Sequence, residues 1–295
     1  MSENGEKHAV SGVYHPVGVT GALRAAGLSP RKSLGQNFFL NRRLLEDMVS
    51  LAGVSADDTV FEIGPGLGAL TRVLARRAKK VVAVEIDEKL TRIARANVLD
   101  FENVRIVHGD FLKMDETAFL ELVGEGPVRV ASNLPYYATT PMLLHLLQWR
   151  RHILSMTVLV QKETVARLAA SPGSKAYGAL AVLIDRYARI QKGFDVPAAA
   201  FYPPPNVDSS VVHLIMKDNV SEIVDDDTFL RIVRAGLSMR RKTLANNLAA
   251  NFGGVTRDEI AGILEDLGFS ASVRGERLSS GNWEKLAWSL KKILQ

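Results

Sequence analysis

The chain contains no cysteine. Disulfides, thiolate metal sites, iron–sulfur clusters and a cysteine nucleophile are therefore excluded, and the composition suits a reducing cytosol. No apolar run approaches the roughly 20 residues of a membrane span. The opening residues, MSENGEKHAVSG, lack the apolar core of a secretory signal. No two histidines stand at metal-ligand spacing, so no metal is expected. Internal repeats and low-complexity tracts are absent. So is a basic tail: 37 Lys and Arg face 32 Asp and Glu, a formal net of +5 spread along the chain. That balance permits a polyanionic partner without demanding one, and any nucleic-acid surface must come from local clusters.

What is present is core material. With 295 residues and 47% hydrophobic content, the chain can build one large domain or two unequal ones. Residues 1–20 are aperiodic and read as a flexible tail. Residues 41–51 read as a helix capped by Asn41, with Leu44, Leu45, Met48 and Val49 on one face. Short β-rich runs then alternate with helical ones. Strands are expected at 59–63, 81–86, 104–109, 128–133 and 156–161, and helices at 69–78, 88–98 and 141–149. Such alternation indicates an α/β fold with a Rossmann-like parallel sheet covered on both faces. Ligands of such sheets bind at the carboxyl ends of the strands. The prolines of VPAAAFYPPPNVD (196–208) break the pattern, and 209–216 reads as a closing strand. Residues 226–294 are helical in pattern. A catalytic domain over 21–216 and a smaller all-helical domain over 217–295 are expected.

Four strand ends carry the candidate chemistry. EIGPGLGALT (62–71) follows a strand and opens a helix. Its Gly64 and Gly66 let the backbone approach a ligand. The string fits a dinucleotide fingerprint and by itself does not separate a nicotinamide cofactor from S-adenosylmethionine. Glu85, 21 residues past Gly64, is placed to accept from both hydroxyls of a ribose. Asp110 can accept from an adenine amine, with Phe111 packing on the ring. SNLPYY (132–137) is the sharpest signal. Pro135 restricts the backbone, the Asn133 side-chain oxygen and Leu134 carbonyl can accept from one planar amine, and Tyr136 can stack on the base that carries it.

With these motifs the chain resembles the ribosomal RNA adenine N6,N6-dimethyltransferase family, on its small-subunit side. SLGQNFF (33–39), EIGPGLGALT, VEID (84–87), GDF (109–111), NLPYY (133–137), SKAYGAL (174–180), FYPPPNVDSSVV (201–212) and RRKTLANNL (240–248) carry the resemblance, from about residue 20 onward. It implies a class I methyltransferase sheet, S-adenosylmethionine as cofactor and 16S rRNA in the immature small subunit as substrate, acted on in the cytoplasm. A monomer is expected, because no heptad or sticky edge is visible in the sequence. Asn37, Phe39, Gly64, Gly66, Glu85, Ile86, Asp110, Phe111 and Asn133 become cofactor-binding positions. Position 39 departs from the family pattern, being Phe where Leu is expected. Asn133, Leu134, Pro135 and Tyr136 become the catalytic set, with Phe201 and Tyr136 sandwiching the target base. Arg234, Arg240, Arg241 and Lys242 are the expected RNA contacts. Two further acid-free clusters, at 31–43 and 72–80, are weaker candidates. The competing readings are a large-subunit rRNA methylase and an assembly or RNA-binding factor with secondary catalysis. Asn-Leu-Pro-Tyr, FYPPPNVDSS and the intact acids argue against both. A nicotinamide dehydrogenase lacks its catalytic set.

Overall fold

The computed structural model describes residues 12–29, 36–220 and 224–291. The elements begin with α1 (Pro16–Ala25), β1 (Phe38–Phe39), α2 (Arg42–Leu51), β2 (Thr59–Ile63), α3 (Ala69–Ala75), β3 (Lys80–Glu85), α4 (Glu88–Asn97) and β4 (Val104–His108). They continue with α5 (Glu116–Val123), β5 (Val128–Asn133), α6 (Thr139–Gln148), β6 (Ile153–Gln161), α7 (Lys162–Leu168), α8 (Ala179–Tyr187), β7 (Ala188–Val196), β8 (Phe201–Tyr202) and β9 (Ser209–Met216). Four helices follow: α9 (Asp226–Gly236), α10 (Leu244–Ala249), α11 (Arg257–Asp266) and α12 (Ser280–Lys291). No helix of the described residues is long and apolar enough to cross a membrane.

The main sheet has seven strands in the order β4-β3-β2-β5-β6-β9-β7. The pairs from β4 through β6 are parallel, and β9 runs antiparallel to β6. Strand alternation sends neighbouring residues to opposite faces. Val60 joins a core with Leu45, Met48, Val49, Leu70, Val73 and Leu74 of α2 and α3. Its neighbour Phe61 meets Phe119 of α5 edge-on at 5.1 Å, and Phe119 stacks on Trp149 at 4.8 Å. Each such buried side chain contributes about 1.5–3 kcal/mol, so the two-sided burial fixes the register of β2. The expected helix over 41–51 forms, with the Asn41 side chain accepting from the Leu44 N–H at 3.1 Å. A separate two-stranded ladder joins β1 to β8, pairing Phe39 with Phe201.

The chain divides into two compact units, Met1–Val165 with Ile190–Met216, and Ala166–Arg189 with Lys217–Gln295. This differs from the single boundary expected near residue 217. Residues 166–189 group with the helical unit because their side chains are tied into it. Tyr177 Oη donates to the Leu278 carbonyl at 2.7 Å, and the buried Arg186 meets Glu284 at 2.8 Å with its guanidinium 4.2 Å from the Phe229 ring centroid. The expected flexible tail is also corrected. Residues 1–11 lie outside the described residues, but α1 follows directly, and Val13, Val19 and Leu23 are buried with Phe38, Leu67 and Leu90. Their packing stabilises a segment whose local composition reads as a tail.

Candidate active site

The strand order reverses at β2, whose neighbours are β3 on one side and β5 on the other. Between β2 and β5 the ladder pairs Val60 with Arg129 and Phe61 with Val130. Beyond it, the Ser132 hydroxyl donates to the Ile63 carbonyl at 2.5 Å and accepts from the Ile63 N–H at 3.3 Å. One side chain thus satisfies both main-chain groups where the strands part, which opens a crevice without orphaning buried polar atoms. A cavity of about 300 Å³ occupies this place, and all four candidate strand ends line it.

At one end the wall is main chain. Gly64 and Gly66 hold φ of +67° and +59°, and a Cβ on Gly66 would come within 3.3 Å of the Phe38 ring. Glu85 is buried. One of its oxygens accepts from the Gly66 N–H at 3.0 Å and the other from the Asp87 N–H at 3.0 Å. Burial pushes its pKa up and these N–H groups oppose the shift. A carboxylate offers about four acceptor sites, so capacity for a ribose remains. Asp87 caps α4, as a residue at that place should. Asp110 accepts from the Leu112 N–H at 3.1 Å and opens a tight turn over Phe111–Lys113. Phe111 lines the cavity, but its ring is wedged edge-on against His145 and Trp149 at 5.1 and 5.5 Å. These contacts fix the ring where it forms part of the cavity floor. Ile86, 52% exposed, is an apolar group on the cavity wall.

The other end is built from side chains. Asn133 Nδ2 donates to the Asn37 carbonyl at 3.2 Å, which leaves Oδ1 as the acceptor. The Leu134 N–H bonds to the Leu159 carbonyl at 3.3 Å while its side chain is buried. Pro135 ends the strand, and its carbonyl accepts from the Ala138 N–H at 3.0 Å and the Thr139 hydroxyl at 3.1 Å, starting α6. Tyr136 lines the cavity, and its hydroxyl lies 2.6 Å from Ser209 Oγ. Phe201 is placed differently from expectation. Its ring is 3% exposed, stacks on Phe39 at 5.0 Å and is not on the cavity wall. The β1–β8 ladder holds these two rings together, so the structure does not assemble a Tyr136–Phe201 sandwich. Phe39, stacked on Phe201, is itself on the cavity wall.

Three features of the site go beyond what the sequence shows, the first being the environment of Glu62, the opening residue of EIGPGLGALT. Glu62 is buried on the cavity wall, accepts from the Thr71 hydroxyl at 2.7 Å, and has its pKa pushed up to about 8 by that burial. It is therefore mostly neutral at pH 7. Val13 is a wall residue, and Tyr14 beside it donates to the Ala69 carbonyl at 3.2 Å. Ser209 is the third. Only the i, i+4 spacing of Val19 and Leu23 behind Pro16 hints at the second of these.

Within the helical unit, Arg234, Arg241 and Lys242 are exposed. Arg240 is engaged instead. It donates to Glu276 from Nε and Nη2 at 3.0 and 2.7 Å and to the carbonyls of Ser174 and Lys175. The cluster at 72–80 is also structural in part. Arg72 is buried against Asp100 at 2.7 Å, and Lys80 donates to the Leu122 and Val123 carbonyls that end α5. Arg31 and Lys32 lie outside the described residues.

A family model described as ribosomal RNA adenine dimethylase matches residues 27–270. The chain is 43% identical over 276 residues to the ribosomal RNA small subunit methyltransferase A of Geobacillus kaustophilus, covering 92% of this chain and 94% of that protein. It is 40% identical over 272 residues to the protein of the same name from Streptococcus equi subsp. zooepidemicus, covering 90% and 94%. A solved dimethyladenosine transferase from Plasmodium falciparum is 25% identical, with a TM-score of 0.71 over 85% of this chain and 96% of that one. The 23S rRNA methyltransferase ErmE, at 22% identity and a TM-score of 0.61 over 88% and 100%, shares the fold.

Proposed function

Because the chain belongs to the ribosomal RNA adenine dimethylase family, we propose that it dimethylates N6 of two adjacent adenines near the 3′ end of 16S rRNA. The methyl donor is S-adenosylmethionine, the substrate the immature small subunit late in its assembly, and the enzyme a cytoplasmic monomer. The observation that carries this reading is Asn133. Its amide nitrogen is occupied by the Asn37 carbonyl, so an acceptor oxygen remains beside Tyr136 in the cavity that Gly64, Glu85 and Asp110 also line.

The cavity fits the cofactor on its own chemistry. Left-handed glycines give a wall without Cβ atoms, Glu85 retains acceptor capacity for ribose hydroxyls, and Asp110 and Ile86 offer an acceptor and an apolar face for an adenine. When bound, S-adenosylmethionine supplies an electrophilic methyl group. The residues of the chain then have to orient a poor nucleophile, the exocyclic amine of the target adenine. Asn133 Oδ1 and the Leu134 carbonyl accept hydrogen bonds from its two N–H groups, favouring a pyramidal nitrogen with its lone pair aimed at the methyl; as the nitrogen is alkylated the sulfur–methyl bond breaks and the nitrogen, now acidic, loses one proton to solvent. Such positioning is the main catalytic contribution. Tyr136 stacks on the base, which must be out of its own stack to arrive there; stacking is worth about 1–3 kcal/mol. The exposed Arg234, Arg241 and Lys242 supply phosphate contacts.

Radiolabelled methyl transfer tests the reading. Purified protein is given immature small subunits from a dimethylase-deficient strain, mature small subunits, or large subunits. Dimethyladenosine confined to the first substrate is expected. Label in large-subunit RNA, or none in any RNA, would overturn it.

A further inference from the structure

We propose that Ser209 is a positioning residue for the methyl transfer, tethering the Tyr136 hydroxyl so that the ring waits in its base-stacking orientation. The inference rests on the assignment of Tyr136 as the stacking platform. Sequence reasoning gives the tyrosine only a ring's role, yet its hydroxyl meets Ser209 Oγ at 2.6 Å, the short end of an ordinary O–H···O bond.

The anchor is rigid. Ser209 is fully buried at the first position of β9, paired with Gln161 of β6. Just before it, the Asp208 carbonyl accepts from the Lys162 N–H at 3.2 Å and the Asp208 carboxylate from the Ala198 N–H at 3.0 Å. The next serine faces the other way, donating to Asp195 at 2.6 Å, as strand alternation requires. The strand β6 therefore serves two neighbours. Its Leu159 pairs with Asn133 of β5, and its Gln161 pairs with Ser209 of β9. The amine acceptor and the anchor of the stacking ring are thus held to one strand, two residues apart along it. A tyrosine fixed only at Cβ can swing about two torsions, and fixing its far end removes that freedom before the base arrives. Burial raises the Tyr136 pKa, so the phenol stays protonated and the hydroxyl pair stays intact at neutral pH.

The test is a double-mutant cycle on single-turnover methyl transfer to saturating immature small subunits. Ser209→Ala should slow transfer about five- to tenfold, the loss of one neutral hydrogen bond, with cofactor affinity by calorimetry unchanged. Tyr136→Phe cuts the same tether from the other side and should slow transfer by a similar factor. The double variant should be no slower than either single one. A wild-type rate in Ser209→Ala, or two effects that multiply, would overturn the inference while leaving the functional reading standing. Wild-type protein that methylates no RNA would sink both. Should Ser209→Ala fold poorly, a wild-type rate in Tyr136→Phe alone refutes the tether.

Discussion

At Gly64 and Gly66 the cavity wall is main chain, whereas at Asn133 and Tyr136 it is side chains, each held by a hydrogen bond to a distant partner. The glycine end is set by backbone torsions, and the Glu85 carboxylate there is itself clamped by N–H groups of that backbone. The base end is set by Asn37 reaching Asn133 and Ser209 reaching Tyr136, across 96 and 73 residues of sequence. The glycine wall itself offers no side chain to remove, so at this end the carboxylates beside it are the groups open to substitution. A side-chain-built end can be dismantled one group at a time. The difference teaches that cofactor affinity and methyl-transfer rate should respond to separate sets of mutations.

The sharpest way to break this contrast is Asn133→Ala. Losing one preorganised acceptor at the reacting nitrogen should cut single-turnover transfer by roughly a hundredfold or more, while small-subunit binding holds. A wild-type rate would remove the amine-orienting role. Glu85→Ala probes the other end. It deletes charge-assisted bonds worth about 1.5–3 kcal/mol, so calorimetry should show S-adenosylmethionine binding weakened by about ten- to a hundredfold, and unchanged affinity would refute the ribose assignment. A smaller effect comes from outside the cavity. Arg241→Ala with Lys242→Ala should lower the slope of log affinity for the small subunit against log salt by about one to two. Arg240→Ala should instead lower the melting temperature, since it frees Glu276 and two carbonyls. A further probe is the pH dependence of stability, a readout separate from rate and affinity. Glu62 keeps its proton up to about 8 in the folded chain, against an ordinary value of 4.5. Between those values the folded state binds the extra proton, so this group makes stability fall as pH rises. Glu62→Gln should flatten that decline in thermal melts. An identical pH slope in the variant would show that the carboxyl ionises normally.

Local signals made the framework readable. Asn41 and the apolar face behind it mark α2 to the residue, and TVFEI marks β2, because cap and periodicity both act within a few residues. The first six residues of α8, Ala179–Ile184, are all apolar and give no period to read, and β7, with its run ARIQKGFDV, looks too polar for a strand. Helix α1 is masked by glycines and a threonine. At the site, the residues were legible and their partners were not. The charge of Arg240 is visible in the sequence, but its commitment to Glu276 depends on tertiary contact. The same holds for the burial of Phe201 against Phe39, which follows from pairing two short strands far apart in the chain.

The wall supplied by Val13 and Tyr14 has a practical side. Every motif quoted for this chain lies beyond residue 30, so a version shortened to begin at residue 21 would look complete. It would lack the buried Val13 and the Tyr14 hydroxyl that bonds to Ala69 at the start of α3. Gly64, Glu85, Asp110 and Asn133 would all remain, and with them the chemistry. What such trimming removes is enclosure. On the proposed function, a ligand of the cavity should leave the shortened chain faster even where the rate of each transfer survives.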